Sequence, residues 1–309
     1  MESNEALVPT NDYVFKRIFG RIGNEDITRG LISAIIGEEI QKVELKDSPI
    51  LEKDLKDDKV GVLDVKANLD GGEICNIEMQ VTEQKDIEKR IMFYWSKLYF
   101  SQIIEGEKYN QLHKTIVILI AKFELESIKE IEKFHTKWNI REEENSKIIL
   151  TDVLEVHIIE LPKLIKQLKN KEISKKDKVA LWSIFIMNPE RIGEKEMSEN
   201  SFIKKAKEEL TKIQQDERER YLAEQRMIQI RDQQAIEDLG YDKGKKEGIK
   251  EGIKEGIKEG IKEGKETERK ELIINMHKEG LSVEDICKFT KLTKEEVEEI
   301  LKSNVDIEK

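Results

Sequence analysis

Cysteine is nearly absent. The 309 residues contain two, Cys75 and Cys287, far apart and without CxxC spacing, which leaves no basis for a disulfide framework or a cysteine zinc site. The four histidines, at 113, 135, 157 and 277, have no metal-ligand spacing either, and the alternation around His157 reads as an ordinary strand histidine. Aromatic residues make up 6% of the chain against 39% for charged ones, so a core must come from a limited part of it. Long apolar runs are missing: the longest, residues 115–121, is far short of the roughly 20 residues that span a bilayer. The opening MESNEALVPTND has neither the basic segment nor the apolar run of an export signal. The chain therefore reads as cytoplasmic, reduced and without a membrane partner. Nor is there a GxSxG nucleophile turn or a GxxxxGK[ST] phosphate loop. An excess of positive charge is also lacking. A net charge of −10 argues against a uniformly basic nucleic-acid coat but leaves room for a local basic groove.

What is present centres on residues 60–81, VGVLDVKANLDGGEICNIEMQV. The two alternating arms flank Asp70-Gly71-Gly72, a turn signal because glycine takes positive φ without steric cost. Side chains alternate along a strand. Val65, Ala67 and Leu69 thus share a face with Leu63, and Asp64, Lys66 and Asn68 take the other. In the second arm Cys75, Ile77 and Met79 face away from Asn76, Glu78 and Gln80. With a three-residue loop Leu69 faces Glu73, and counting back sets Asp64 opposite Glu78. Two carboxylates that close repel each other. A divalent cation would remove that repulsion, since Mg²⁺ is held by one or two carboxylates with phosphate oxygens and water. A two-residue loop would put the two carboxylates on opposite faces. On spacing alone, a half-buried hairpin with a solvated polar face explains the pattern equally well.

Asp, a turn, then Glu-x-Gln on the next strand resembles the PD-(D/E)xK nuclease core, in the variant with glutamine in place of the final lysine. TNDYVFKRIFG, LDVKANLDGGEICNIEMQ, RIMFYWSKLY and LEVHIIELPKL follow in an order similar to the Rpn family of recombination-promoting nucleases, often labelled transposases. The resemblance covers roughly residues 9–165 and resumes in the tail. It implies an α/β fold with a mixed sheet flanked by helices, and Mg²⁺-dependent hydrolysis of DNA. By the same resemblance Asp64 and Glu78 hold the metal, with Gln80 as a further catalytic residue. Lysine at position 80 would carry charge that glutamine does not, and Lys66, on the same face, is a candidate to replace it. The competing reading is a catalytically inactive DNA-binding or assembly protein that retains the fold. Asp12 corresponds to the acidic residue often found on the first helix of such cores, and helix capping explains it as well. Arg90, Tyr94 and Lys97 share a helix face and recur in the matching block.

Around these blocks the pattern predicts helices at the Asn11–Asp12 start signal, over 25–36 with Gly37 as its stop, and over 86–105. It predicts strands at 40–45, 115–121 and 154–161, the second buried on both faces and the last stopped by Pro162. Residues 48–59 read as a charged connector. The expected domains are a nuclease core over 1–165, a helical subdomain over 166–239, a repeat stalk or linker over 240–270, and a small helix-turn-helix-like module over 271–309.

In the repeat, glycine recurs every fourth residue from Gly240 to Gly264, and Ile249, Ile253, Ile257 and Ile261 share the period. Each glycine costs a helix roughly 0.8–1 kcal/mol against alanine, about 6 kcal/mol for seven. A solitary helix is therefore marginal, and burial of the isoleucine row in a homo-oligomer would recover the loss. Ten basic residues against seven acidic ones between Lys243 and Lys270 make the segment too mixed for a DNA-binding stripe. Ser282 and Thr293 are good helix caps, but the second helix, KEEVEEI, is acidic. That favours a protein contact over base reading.

Overall fold

The computed structural model describes residues 7–45, 65–83 and 86–305. The connector at 48–59 and Asp64 lie outside the described residues. The chain divides into two compact units, Met1–Gln234 and Ala235–Lys309.

The first unit is built on a six-stranded mixed sheet. In chain order the strands are β1 (Val43–Leu45), β2 (Val65–Leu69), β3 (Ile74–Gln80), β4 (Thr115–Ala121), β5 (His135–Arg141) and β6 (Ile149–Glu160). In space they run β1-β2-β3-β4-β6-β5. β4 lies parallel to β3 and β6, and the other pairings are antiparallel. All seven residues of β4 are buried, as its unbroken apolar run predicts for a strand covered on both sides. β5 carries no such signal: in HTKWNIR only Thr136 is buried. It is an edge strand, and its pairing with β6 shifts register between Trp138 and Ile140.

Helices cover the two faces unequally. On one, α1 (Asp12–Phe19), α2 (Glu25–Ile36), α5 (Lys178–Met187) and α7 (Ser201–Gln215) share a core with Cys75, Ile77, Met79, Ile116, Ile118 and Ile120. Residues beyond 165 thus enter the same core as the amino-terminal helices. On the other face α3 (Ile87–Phe100) lays Ile87 and Ile91 against Val117, Leu119, Val156 and Ile158. The stop of α2 is as expected, with Gly37 in the left-handed region at φ 83°. Pro162 sits in the first turn of α4 (Leu161–Lys169), where its missing N–H is harmless, so it opens a helix as well as following a strand. A buried pair, Glu160 Oε2 and Lys163 Nζ at 2.7 Å, ties down the segment after β4 through Leu125 N and Ile128 O.

Asp12 does not cap α1. Asn11 does, its side chain accepting from the N–H groups of Tyr13 and Val14. Asp12 instead pairs with Arg226 at 2.6 Å, on α8 (Glu217–Lys278). Arg17 bonds Glu219 of the same helix through Nε at 2.7 Å, and Asn11 Nδ2 reaches Ala223 O at 2.9 Å. Residues 219, 223 and 226 lie on one side of a helix, so α1 is gripped by a single face of α8.

The second unit contains the rest of α8, α9 (Val283–Thr290) and α10 (Lys294–Val305). Helix α8 runs unbroken through the glycine repeat, and a Cβ placed on Gly248, Gly252, Gly256 or Gly260 would meet nothing within 4 Å. The four repeat isoleucines stay 54–58% exposed. At the far end Ile273, Ile286 and Val297 are fully buried among Met276, Leu281 and Leu292. Ser282 caps α9. Thr293 and Glu296 bond each other's backbone N–H reciprocally at the start of α10, a capping box. Among the described residues no helix is long and apolar enough to cross a membrane.

Candidate functional site

The hairpin adopts the three-residue loop. Leu69 N bonds Glu73 O at 2.9 Å, and the pairs Asn68–Ile74, Ala67–Cys75, Lys66–Asn76 and Val65–Ile77 follow. Gly72 is required twice over: its φ is +88°, and a Cβ there would sit 2.8 Å from the ring of His113. The next pair in this register would involve Glu78 and position 64, and Asp64 is outside the described residues.

Asn76, Glu78 and Gln80 point to the α3 face, opposite Cys75, Ile77 and Met79. They are not a solvated edge: Asn76 is fully buried, Glu78 is 4% exposed and Gln80 9%. Their cover is α3, which begins seven residues after β3 ends and packs Ile87, Ile91, Tyr94 and Leu98 inward. Asn76 Nδ2 donates to Glu78 Oε1 at 3.3 Å. Gln80 is held at both ends, Nε2 donating to Thr82 O and Oε1 accepting from Arg90 Nη2, each at 3.2 Å. The same Arg90 nitrogen lies 3.6 Å from Glu78 Oε2, and its guanidinium stands 5.5 Å from the Tyr94 ring centre, within cation–π range. Of the three α3 residues singled out in the sequence, Arg90 and Tyr94 are therefore at the site, and Lys97 is exposed. Lys66 stands across from Asn76 and is half-buried.

The donor set suits a hard divalent cation. A buried carboxylate lies beside Asn76 Oδ1, a buried oxygen with no hydrogen-bond partner among the described residues, and Mg²⁺ takes oxygen ligands of this kind. The described residues contain no group of three His, Cys, Asp or Glu able to hold a metal. A cleft of about 630 Å³ opens past the carboxyl ends of β3 and β4, between Val81, Lys122, Leu161, Asn11 and Met187. Asn76, Glu78, Gln80, Arg90 and Lys66 are not among its lining residues.

A second polar cluster lies on the opposite face. Glu155, buried on β6, receives Lys114 Nζ at 2.6 Å, His157 Nε2 at 2.8 Å and Lys137 Nζ at 3.0 Å. His157 Nδ1 lies 2.9 Å from His135 Nε2. A carboxylate only accepts, so His157 donates from Nε2. Burial opposes ionisation of Glu155, yet the bonds from His157, Lys114 and Lys137 outweigh it and hold its carboxyl well below the usual range. Burial, and then the charge of His157, push His135 down to about 4. Burial and the Glu155 charge push the Cys75 thiol up, which makes it a poor nucleophile. The sequence shows Glu155 and His157 sharing a strand face. It does not show His135, whose strand has no apolar alternation.

A mixed sheet with an antiparallel hairpin feeding parallel strands, and Glu-x-Gln at the carboxyl end of one of them, defines an α/β protein. The sequence model of the PD-(D/E)XK nuclease family transposases matches residues 9–238, about three quarters of the chain, and the protein belongs to that family. Neither the curated proteins nor the solved structures contain a match. Family membership carries a nuclease-type function on DNA and reaches past the sheet into α8, whose residues 219–226 grip α1.

Proposed function

We propose that the protein is a divalent-metal-dependent DNA endonuclease in which Asp64 and Glu78 hold Mg²⁺. The observation that carries this reading is the buried row of Glu78 and Gln80 beneath Arg90, at the carboxyl end of a central strand inside the family match. When bound, the cation supplies Lewis acidity and eases ionisation of the attacking water. The chain's own residues do the rest. Gln80, fixed at both ends of its amide, orients the attacking water and the phosphate, and Lys66 is a further cationic candidate on that face.

The tail has a separate role in this proposal. Residues 240–270 form a stalk that associates with a second copy through the exposed isoleucine row, and residues 271–309 form a contact module.

The test is nicking of supercoiled plasmid by the full chain during a Mg²⁺ titration, beside Asp64→Ala and Glu78→Ala. Activity that requires the metal and is absent from both folded variants supports the proposal. DNA binding without cleavage by the wild type, in Mg²⁺ and in Mn²⁺, would establish the inactive assembly protein instead.

A further inference from the structure

The Glu-x-Gln pattern places a neutral amide where the nuclease reading needs positive charge beside the scissile phosphate. We infer that Arg90 is the catalytic residue that provides this charge, and that Gln80 is the positioning residue that aims it. The inference rests on the nuclease reading above.

Three observations converge on Arg90. One guanidinium nitrogen reaches both members of the motif, at 3.2 Å from Gln80 Oε1 and 3.6 Å from Glu78 Oε2. The group is steadied from the side by Tyr94, one helical turn along α3, whose ring centre is 5.5 Å away. Its side chain keeps 32% exposure, against 6% for Glu78, so it borders solvent where the carboxylate does not.

The glutamine amide explains the arrangement. Thr82 O takes the Nε2 end, which turns Oε1 toward α3 and gives the guanidinium an acceptor at a fixed place. A lysine at position 80 has no acceptor and would repel Arg90 from that place. Glutamine at 80 and arginine at 90 thus form a matched pair. Arginine keeps its protons at every working pH and presents them as a planar fork that fits phosphate oxygens. In the hydrolytic step water adds to phosphorus, the bond from phosphorus to the leaving oxygen breaks, and the proton released by the water ends on that oxygen. Arg90 neither gains nor loses a proton. It offsets the charge that builds on the non-bridging oxygens, and such a contact acts mainly in the transition state.

The experiment compares full-chain wild type, Arg90→Ala, Arg90→Lys, Lys66→Ala and the double variant Gln80→Lys/Arg90→Ala. The readouts are kcat and KM for plasmid nicking in Mg²⁺, affinity for a labelled duplex in non-cleaving Ca²⁺ by anisotropy, and thermal melting. Arg90→Ala is expected to lower kcat about 100-fold, while KM, Ca²⁺-supported affinity and melting stay near wild type. Arg90→Lys should retain part of the rate, and Gln80→Lys should restore about tenfold or more to Arg90→Ala, because it returns a cation to the strand. Exposed Lys97→Ala is the control and should match wild type. A fully active Arg90→Ala overturns the inference and leaves the nuclease reading standing. So does a loss as large in Lys66→Ala, which moves the cation to the hairpin. If Arg90→Ala melts early, the double variant decides: no recovery of rate in its folded fraction overturns the assignment. A wild type inactive in both Mg²⁺ and Mn²⁺ overturns both readings.

Discussion

Two buried glutamates of one sheet face opposite ways. Glu155 is met by two lysines and an imidazole at 2.6–3.0 Å. The neighbours of Glu78 include an amide at 3.3 Å and a guanidinium at 3.6 Å, and the Asn76 amide oxygen has no hydrogen-bond partner among the described residues. The short contacts tie Glu155 to groups on three segments, the start of β4, β5 and its own strand, and so fasten the edge strand to the sheet. Glu78 instead shares the α3 face with Gln80 and Arg90, at the carboxyl end of a central strand. Both residues are buried, and the proposed function gives them different roles, a structural one to Glu155 and a chemical one to Glu78.

Mutation of the two carboxylates tests that separation most strongly. Glu78→Ala should reduce Mg²⁺-dependent nicking by at least about 10³-fold, equivalent to about 4 kcal/mol of barrier, with its melting transition retained. Glu155→Ala should do the reverse: removing one partner of a buried charged network costs about 3–5 kcal/mol of stability, while the fraction still folded nicks normally. Early melting of the first variant with wild-type melting of the second would break the comparison.

Acid sharpens it. The folded-state pKa of His135, about 4, lies below the ordinary value near 6.5. Between these values the unfolded chain binds the proton more readily, so stability is full above about pH 6.5 and falls as pH drops toward 4. For this partly exposed ring the loss is on the order of 1–2 kcal/mol after solvent screening. Urea denaturation at pH 7 and pH 4.5 should show it, and His135→Gln should remove that component.

The smallest effect lies in the tail. Gly256→Ala adds a methyl group into open space and should raise helix stability by about 0.8–1 kcal/mol. An accompanying rise in the dissociation constant of the oligomer, measured by light scattering, would place Gly256 at a close helix contact.

The hairpin, its three-residue loop and the central buried strand are legible in the sequence because each rests on a local rule: period two, a glycine turn, an unbroken apolar run. The caps at Ser282 and Thr293 are equally local. The grip of α8 on α1 is not, because Asn11 and Ala223 are 212 positions apart and no local pattern links Asp12 to Arg226. The burial of Asn76, Glu78 and Gln80 was hidden for a related reason. Alternation separates them from the apolar face, but only the placement of α3 decides whether that polar face meets solvent or protein. Strand β5 escaped notice because an edge strand need not be apolar. One of its side-chain ties, His135 to His157, joins histidines that look unrelated in the sequence.

The unbroken helix through the repeat has a metric consequence. Each Gly-Ile-Lys-Glu unit advances about 6 Å along the axis and, since four residues turn about 400°, leaves a net rotation of about 40°. Within the second unit, a gain of one repeat would therefore carry α9 and α10 outward and also swing them around the axis relative to Ala235. The segment acts as a ruler and a dial together. Two added units set the terminal helices about 12 Å farther out and about 80° around, and only after nine would they return to their original bearing.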